Sequence, residues 1–307
     1  MIHGIINVYK EKGFTSHDVV NKLRGIAGQR KIGHTGTLDP DAEGVLPICL
    51  GRGTKLCDLL TDKEKTYRAV LLLGQTTDTQ DTTGTVLEEK PTGHLTEDEV
   101  LEAVMSFEGE YQQVPPMYSA LKVNGQKLCD LAREGRVVER KARTVIIKEI
   151  KIRSVNLPRV EMDVTCSKGT YIRTLCNDIG EKLGCGGCME SLLRTASGQF
   201  KIEDSIKLGD LQILKDEGRL EEAVMPVDSV FMHYQRVDIV QEDQEALAHN
   251  GNWFYMKKPA VKLEDREIVR VYDREGQFVA LYKYDKRRGS FKIVKMFYVK
   301  RMKKCSL

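Results

Sequence analysis

The sequence predicts an α+β fold with a mixed, mainly antiparallel sheet flanked by helices, followed by a small C-terminal β domain. Strand and helix patterns alternate without the regular βαβ rhythm of parallel α/β folds. Val160–Cys166 alternates apolar and polar residues without a break, which is typical of a half-buried strand. After about Val227 the pattern becomes one of short alternating segments. The 307 residues fit one large and one small domain, predicted as residues 1–235 and 236–307.

The first elements follow from capping and periodicity. Ile2–Tyr9 reads as a strand, and Thr15 and Asp18 then have the spacing of a capping box that begins a helix. Four apolar residues fall on one face of that helix: Val19, Val20, Leu23 and Ile26. A glycine-rich loop over residues 33–44, an apolar run and a short helix near residues 55–60 complete this part of the chain.

Three further elements precede the change of pattern. Tyr67–Leu73 is apolar enough for a buried strand, and Thr96 with Glu99 caps a helix that extends to about Phe107. The last of the three is a helix that ends at Gly184. Its apolar face is marked by five residues: Ile172, Leu175, Cys176, Ile179 and Leu183.

The C-terminal β domain is predicted from three strands, Ile268–Tyr272, Phe278–Tyr284 and Phe291–Val299. From Lys283 to Lys304 the chain carries ten lysines and arginines and a single acid. Four aromatic residues lie among them: Tyr284, Phe291, Phe297 and Tyr298. Such a segment suits a phosphate backbone with exposed bases, and a solvated basic face is the open alternative.

Composition narrows the class of protein. No apolar run approaches the roughly 18 residues of a membrane helix, and the N-terminus lacks the pattern of a secretory signal, so a soluble, cytoplasmic protein is expected. Eight cysteines are too sparse for a disulfide scaffold. Only Cys185 and Cys188 have metal-like spacing, and no second pair accompanies them, so the sequence predicts a glycine-rich turn there and no metal site.

The loop GHTGTLDPDAEG, residues 33–44, is the densest chemical signal. It lacks the Gly-Lys-Ser/Thr ending that a phosphate-binding loop requires. Asp39, Asp41 and Glu43 fall at the first, third and fifth positions of a calcium loop, but the twelfth position is Leu50, inside an apolar run. Neither a nucleoside triphosphate nor calcium is therefore predicted at this loop.

A third interpretation is one reactive carboxylate on a rigid loop. Asp39 precedes Pro40, which biases it away from helix, and the neighbouring glycines permit close approach of a substrate. A carboxylate so placed serves as nucleophile or base. The residues alone leave this open against an aspartate that merely caps a turn.

Four segments together resemble a known family. GHTGTLDPDAEGVLPICLG is similar to the catalytic-aspartate motif of the TruB family of tRNA pseudouridine synthases. KTYRAVLLLGQTTDTQDTTG, PPMYSALKVNGQKL and CSKGTYIRTLCNDIGEKLGCG resemble the motifs that follow it, in the same order. The resemblance covers residues 2 to about 230 and implies the pseudouridine synthase fold. The C-terminal domain resembles the RNA-binding PUA type in position and strand pattern.

The resemblance implies isomerisation of uridine 55 in the T-arm of tRNA. The N1–C1′ bond breaks, the base turns, and C5 joins C1′. No atom is lost and no redox change occurs, so no cofactor or metal is expected. The implied partner is the T-arm stem-loop of tRNA, with no membrane and no obligate protein partner, and the protein is expected to be a monomer.

The same resemblance assigns the catalytic residues. Asp39 matches the catalytic carboxylate, which adds to the sugar or base or assists glycal formation. Arg173 matches the family arginine and would pair with Asp39, favouring its charged form and holding its rotamer. Tyr67 matches the family tyrosine, whose ring stacks on the target base and whose hydroxyl reaches a sugar proton.

Four residues are expected to bind substrate. His34 matches the histidine that fills the space left by flipped bases, and Thr37 stands in the same loop. Leu192 matches an apolar residue of the base pocket. Lys10 contacts RNA or orders the loop. The chain departs from the family pattern at four places, where its RNA contacts are expected to differ: Glu11, Cys188, Leu193 and the pair Leu128-Cys129.

Two other functions remain open on the sequence. One is a tRNA-binding protein that folds its RNA without chemistry, for which the retained Asp39, Tyr67 and Arg173 would have no use. The other is a pseudouridine synthase that acts on a different stem-loop RNA.

Overall fold

The computed structural model describes residues 1–123, 125–256 and 259–298. These residues form strands β1 (Gly4–Lys10), β2 (Ile32–His34), β3 (Glu43–Leu50), β4 (Lys65–Leu73), β5 (Gln75–Thr77), β6 (Val86–Glu89), β7 (Gly109–Gln113), β8 (Lys122–Val123), β9 (Gln126–Lys127), β10 (Arg143–Asn156), β11 (Arg159–Cys166), β12 (Gly187–Ser197), β13 (Phe200–Lys201), β14 (Ile206–Lys207), β15 (Gln235–Asp238), β16 (Phe254–Tyr255), β17 (Ile268–Tyr272), β18 (Phe278–Asp285) and β19 (Ser290–Met296).

The α-helices within the described ranges are α1 (Ser16–Ala27), α2 (Cys57–Thr61), α3 (Glu97–Met105), α4 (Leu128–Arg133), α5 (Ile172–Lys182), α6 (Leu208–Asp216) and α7 (Glu242–His249). A 3₁₀ turn over Gly51–Leu56 leads into α2, so the short helix predicted near residues 55–60 is divided between two elements.

One large sheet carries the N-terminal two thirds of the chain. Its strands run in the order β14-β1-β3-β12-β4-β11-β10-β7, with β2 beside β3 and β13 beside β12. The pairs β1–β14 and β3–β12 are parallel and the other pairs are antiparallel. The predicted mixed, mainly antiparallel sheet is confirmed. Strands β3, β12 and β4 lie at its centre, so the segments before β3 and along β12 and β4 are brought side by side.

Helices cover the sheet in two groups, and each group encloses a core. Near β1 and β3, α1 and α6 bury a cluster that includes Val19, Leu23 and Leu211. Near β4, β11 and β12, α3 and α5 bury a second cluster around Leu71 and Ile179. Burial of such side chains contributes about 1.5–3 kcal/mol each, which anchors the strands that carry the site.

The capping box predicted for α1 is confirmed. Thr15 accepts a hydrogen bond from the Asp18 amide at 3.0 Å, and Asp18 accepts one from the Thr15 amide at 2.9 Å. The second predicted box, at Thr96 and Glu99, is formed in the same way at the start of α3. These reciprocal bonds satisfy amides that would otherwise lack partners at the helix start.

A second sheet in the order β15-β17-β18-β19-β16 forms the C-terminal β domain. Tyr272, Phe278 and Phe297 from this domain share one buried cluster with Val45 and Cys49 of β3. The C-terminal domain therefore packs directly against the strand that follows the glycine-rich loop. The domain boundary and the PUA assignment stay predictions.

Three of the four aromatic residues in the basic segment are buried, so their rings do not face solvent. Tyr284, Phe291 and Phe297 are at most 7% exposed and belong to cores of the domain, because they occupy inward positions of β18 and β19 or lie just after β19. Tyr298 stacks on the His249 ring at 3.7 Å. The basic residues beyond 298 and the predicted strand end at Val299 lie outside the described residues. No helix in the described ranges is long and apolar enough to cross a membrane.

Candidate active site

The glycine-rich loop borders a wide cleft of about 1450 Å³. The cleft is enclosed by the loop, by β4 and β12 and by the start of α5. Six of the predicted site residues line it: His34, Thr37, Asp39, Tyr67, Arg173 and Leu192. They come from four separate parts of the chain, and the order of the central strands brings them together.

Local contacts make the loop rigid. The Leu38 amide donates to the Ser16 hydroxyl at 2.8 Å, and the Asp39 carbonyl accepts from the Ala42 amide at 3.2 Å, which closes a turn over the Asp39-Pro40 bond. At Gly44, where φ is +102°, a Cβ atom would stand 2.3 Å from the Arg194 carbonyl oxygen. Only glycine allows β3 to approach β12 so closely at this point.

Lys10 lies beneath the loop, and this corrects the prediction that it contacts RNA. Its side chain is fully buried, and its ammonium donates to the carbonyls of Glu11, Pro40 and Ala42 at 3.2, 3.0 and 2.5 Å. Of the two expected roles, the structure supports ordering of the loop. Burial lowers the Lys10 pKa to about 8.

Asp39 and Arg173 form an ion pair at the cleft. Nη2 of Arg173 lies 3.0 Å from Oδ2 of Asp39, and the Arg173 side chain is 6% exposed whereas that of Asp39 is 45% exposed. The guanidinium is therefore buried in the wall, while the carboxylate faces the open cleft. A charge-assisted contact with a buried, fixed partner holds the carboxylate in one direction.

Arg173 is itself held by the surrounding backbone. Nη1 donates to the Thr79 carbonyl at 3.0 Å and Nη2 to the Tyr118 carbonyl at 2.8 Å. A second carboxylate, Asp81, lies 3.6 Å from Nη1. Arg173 lies in the first turn of α5, between the loops that contain Thr79 and Tyr118. Its guanidinium therefore contacts groups from both loops as well as Asp39.

Tyr67 and Leu192 face the cleft from the central strands. In the antiparallel pairing of β4 with β12, Leu192 lies opposite Ala69 and Arg194 opposite Tyr67. Tyr67 and Leu192 are half-buried and pack against the core beneath α5. Burial raises the Tyr67 pKa, so its hydroxyl is protonated at neutral pH. A ring and an aliphatic side chain thus form an apolar wall beside the carboxylate.

His34 and Thr37 occupy the rim of the cleft. His34 ends β2, and its Nδ1 accepts a hydrogen bond from the Gly36 amide at 3.3 Å. Burial lowers the His34 pKa, so the ring is neutral at pH 7. Thr37 is an exposed residue of the loop. Both positions leave the side chains accessible from the cleft.

Two buried cations near the site were not predicted. Arg194 is 1% exposed and Lys65 is 7% exposed. Arg194 lies two residues after Leu192 on β12, and residues two apart on a strand share a face, so the position of Leu192 was a usable signal. Lys65 begins β4 two residues before Tyr67, and burial lowers its pKa to about 8. Their charges give the cleft a positive floor.

The departures from the family pattern lie at the edge of the site. Leu193 and Cys129 line the cleft, whereas Cys188 is buried near Gln75. Glu11 contributes its backbone carbonyl to Lys10. Cys185 lies in a turn after α5 in which Gly184 and Gly186 have φ of +74° and +75°. The predicted glycine-rich turn is confirmed there.

A loop carboxylate paired with a buried arginine, beside a tyrosine in a wide cleft, is the arrangement of an enzyme that uses carboxylate chemistry. The TruB family pseudouridylate synthase N-terminal model matches residues 24–172, and the tRNA pseudouridylate synthase B C-terminal model matches residues 173–232. These matches cover most of the chain. The chain belongs to the TruB family of pseudouridine synthases.

Curated relatives agree over nearly the whole length. The tRNA pseudouridine synthase B of Lachnoclostridium phytofermentans is 52% identical over 96% of this chain and 100% of its own. That of Clostridium tetani is 46% identical over 96% of this chain and 99% of its own. These relatives share the length as well as the sequence of this chain.

Solved structures share the fold. An H/ACA RNP bound to a substrate RNA containing 2′-deoxyuridine has a chain with a TM-score of 0.72 and 27% identity, covering 97% of this chain and 86% of that one. A Cbf5-Nop10-Gar1 complex has a chain with a TM-score of 0.70 and 28% identity, covering 96% and 85%. The α+β architecture is therefore that of known pseudouridine synthases.

Proposed function

We propose that this protein isomerises uridine 55 in the T-arm of tRNA to pseudouridine. The observation that carries the proposal is the Asp39–Arg173 ion pair at 3.0 Å in a cleft that Tyr67 also faces. Membership of the TruB family and the names of its relatives supply the substrate class.

The reaction breaks the N1–C1′ bond and forms a C5–C1′ bond. The hydrogen at C5 is lost and N1 gains one, so the product has the same atoms as the substrate. Asp39 either adds covalently to the nucleoside or assists glycal formation. In both routes its carboxylate is the reacting group, and Arg173 keeps it directed at the nucleoside.

The remaining residues bind the flipped nucleotide. The uridine must leave the stacked loop, which costs a few kcal/mol. The Tyr67 ring stacks on the flipped base, and Leu192 covers the apolar edge of that base. At the rim of the cleft, His34 and Thr37 contact the RNA loop that the base has left. The buried cations beneath the loop favour entry of the anionic backbone. The C-terminal β domain binds RNA through its exposed lysines, and the protein acts as a cytoplasmic monomer.

The test is pseudouridine mapping on an unmodified tRNA transcript incubated with the pure protein. Conversion at position 55 is expected. A transcript with cytidine at that position, and an unrelated stem-loop RNA, serve as controls. If the unrelated stem-loop is converted and the tRNA is not, the substrate is an RNA other than tRNA. Tight binding without conversion of any RNA would favour a tRNA-folding role.

A further inference from the structure

Arg194 carries a charge at a place that solvent does not reach. It is among the largest fully buried side chains of the described residues and is 1% exposed. Among the described residues, no carboxylate oxygen lies within 4.0 Å of its guanidinium nitrogens. An unpaired buried cation costs several kcal/mol unless its donors are satisfied. The hydrogen-bond partners of the Arg194 guanidinium therefore indicate its role.

The donors of Arg194 reach both ends of the segment that carries Asp39. Nε donates to the Val45 carbonyl at 2.6 Å, just after the segment. Nη1 and Nη2 approach the carbonyls of Thr37 and Gly36 at 3.4 and 3.5 Å, just before it. One planar group thus connects the two ends of the loop from below.

Arg194 also faces the catalytic tyrosine. It lies directly opposite Tyr67 in the antiparallel pairing of β12 with β4. Directly opposed residues have their Cβ atoms about 4.5–5.5 Å apart on the same face of the sheet. The Arg194 charge lowers the Tyr67 pKa, although burial raises it by more. The same guanidinium therefore influences both reactive groups.

We propose that Arg194 is a positioning residue that makes Asp39 and Tyr67 one rigid unit, by joining the ends of the Asp39 loop and orienting the Tyr67 hydroxyl. The inference rests on the proposed isomerisation and adds a residue to its machinery. A lysine at this position would have one nitrogen and could not reach both ends of the loop at once, because only the guanidinium fork has donors that spread in a plane.

The division of labour with Lys10 supports this role. Lys10 holds the carbonyls of Pro40 and Ala42 at the apex of the loop, whereas Arg194 holds its two ends. The apex contact orders the turn itself. The contact at the ends sets where that turn stands relative to β4 and hence to Tyr67.

The experiment compares Arg194→Lys with the wild type in single-turnover pseudouridine formation on the tRNA transcript. We expect a fall in rate of at least tenfold, with the tRNA dissociation constant changed less than threefold. In a Tyr67→Phe background the same substitution should have a clearly smaller effect, because its contribution through Tyr67 is already lost.

Arg270 offers a matched control. It is 8% exposed, and it donates to the Tyr234 carbonyl at 3.0 Å and to the Tyr272 hydroxyl at 3.1 Å, in the C-terminal domain. Arg270→Lys thus removes a buried guanidinium, with its planar set of donors, from a site that does not line the cleft. It should lower the thermal midpoint as Arg194→Lys does, and leave the single-turnover rate at saturating RNA unchanged.

Each outcome decides a different point. A wild-type rate in Arg194→Lys would overturn the positioning role. Additive effects of Arg194→Lys and Tyr67→Phe would overturn the link to the tyrosine. If Arg194→Lys does not fold, the Nε–H resonance of Arg194 is compared between wild type and Tyr67→Phe, and an unchanged resonance overturns the link. Absence of conversion by the wild type would instead count against the proposed function.

Discussion

Nη2 of Arg173 lies 3.0 Å from Oδ2 of Asp39, although the two residues are far apart in the sequence. Asp39 stands on a loop before β3, and Arg173 stands in the first turn of α5. They meet because β12 pairs with both β3 and β4, which brings the loop to the helix that precedes β12.

Asp39→Asn should abolish pseudouridine formation while leaving the tRNA dissociation constant within a few-fold of wild type. The amide keeps the size of the side chain but cannot act as a charged nucleophile or base. The measurement is product formation under single turnover, with binding measured separately.

Asp41→Asn is the matched control for that variant. Asp41 lies in the same loop and lines the same cleft, but Arg173 pairs with Asp39 and not with Asp41. Its rate should stay near wild type. If Asp39→Asn forms product at the wild-type rate, Asp39 is not the catalytic carboxylate.

Arg173→Lys should lower the single-turnover rate at least tenfold. A lysine cannot contact Asp39, Thr79 and Tyr118 together, because it lacks the planar fork. Arg159→Lys is the control, since Arg159 makes a two-pronged contact with Glu190 at an exposed place. Exposed pairs contribute about 0–1 kcal/mol, so that variant should be near wild type. Equal losses in both variants would contradict a special role for Arg173.

The stability of the protein should depend on Lys10 at alkaline pH. The Lys10 pKa is about 8 in the folded protein, whereas an unperturbed lysine has a pKa of about 10.4. Between these values the unfolded chain binds more protons, so the contribution of Lys10 to the free energy of unfolding rises with pH. That gain is absent below about pH 8 and complete above about pH 10.4.

Urea unfolding at pH 7.5 and 9.5 tests this for wild type and Lys10→Met. The wild type should gain stability relative to the variant at the higher pH, because methionine has no proton to lose. A constant difference between the two proteins would show that Lys10 keeps an ordinary pKa.

His34 should titrate below pH 6.5, the usual value for histidine. Burial disfavours the charged ring, so the His34 pKa is lowered. NMR titration of the ring C–H resonances measures this, and His34→Gln identifies the signal. A midpoint above 6.5 for His34 would contradict a buried neutral ring.

Exposed lysines of the C-terminal domain should contribute to RNA affinity. Lys283 and Lys292 lie opposite each other on β18 and β19, and both are exposed. Replacing both by glutamine should weaken tRNA binding and reduce its dependence on salt, because fewer counterions are released. The single-turnover rate at saturating RNA should not change.

Lys215→Gln is the control, since Lys215 is exposed on α6 and does not line the cleft. Equal affinity of the control and the double variant would count against RNA contact by β18 and β19. Point substitutions are preferable to removal of the domain, because Phe278 and Phe297 share a buried cluster with Val45 and Cys49 of the catalytic sheet. Removal would expose that cluster.

Local patterns in the chain are enough to predict several elements and the chemistry of the loop. The capping boxes at Thr15 and Thr96 and the strand at Val160–Cys166 depend on neighbours in the chain, so periodicity and capping rules were sufficient to predict them. The motif around Asp39 was recognisable because its spacing is local as well. Even Arg173 could be assigned, since its segment resembles a family motif.

Which charged side chains are buried, and which groups they contact, depends on the packing of distant segments. Lys10 and Arg194 look like surface cations in the sequence, yet both end beneath the loop with their donors on its carbonyls. Likewise, Phe291 and Phe297 lie in a basic segment but fill cores. Burial depends on which strands become neighbours across long separations, and the pairing of β12 with β3 and β4 is such a contact.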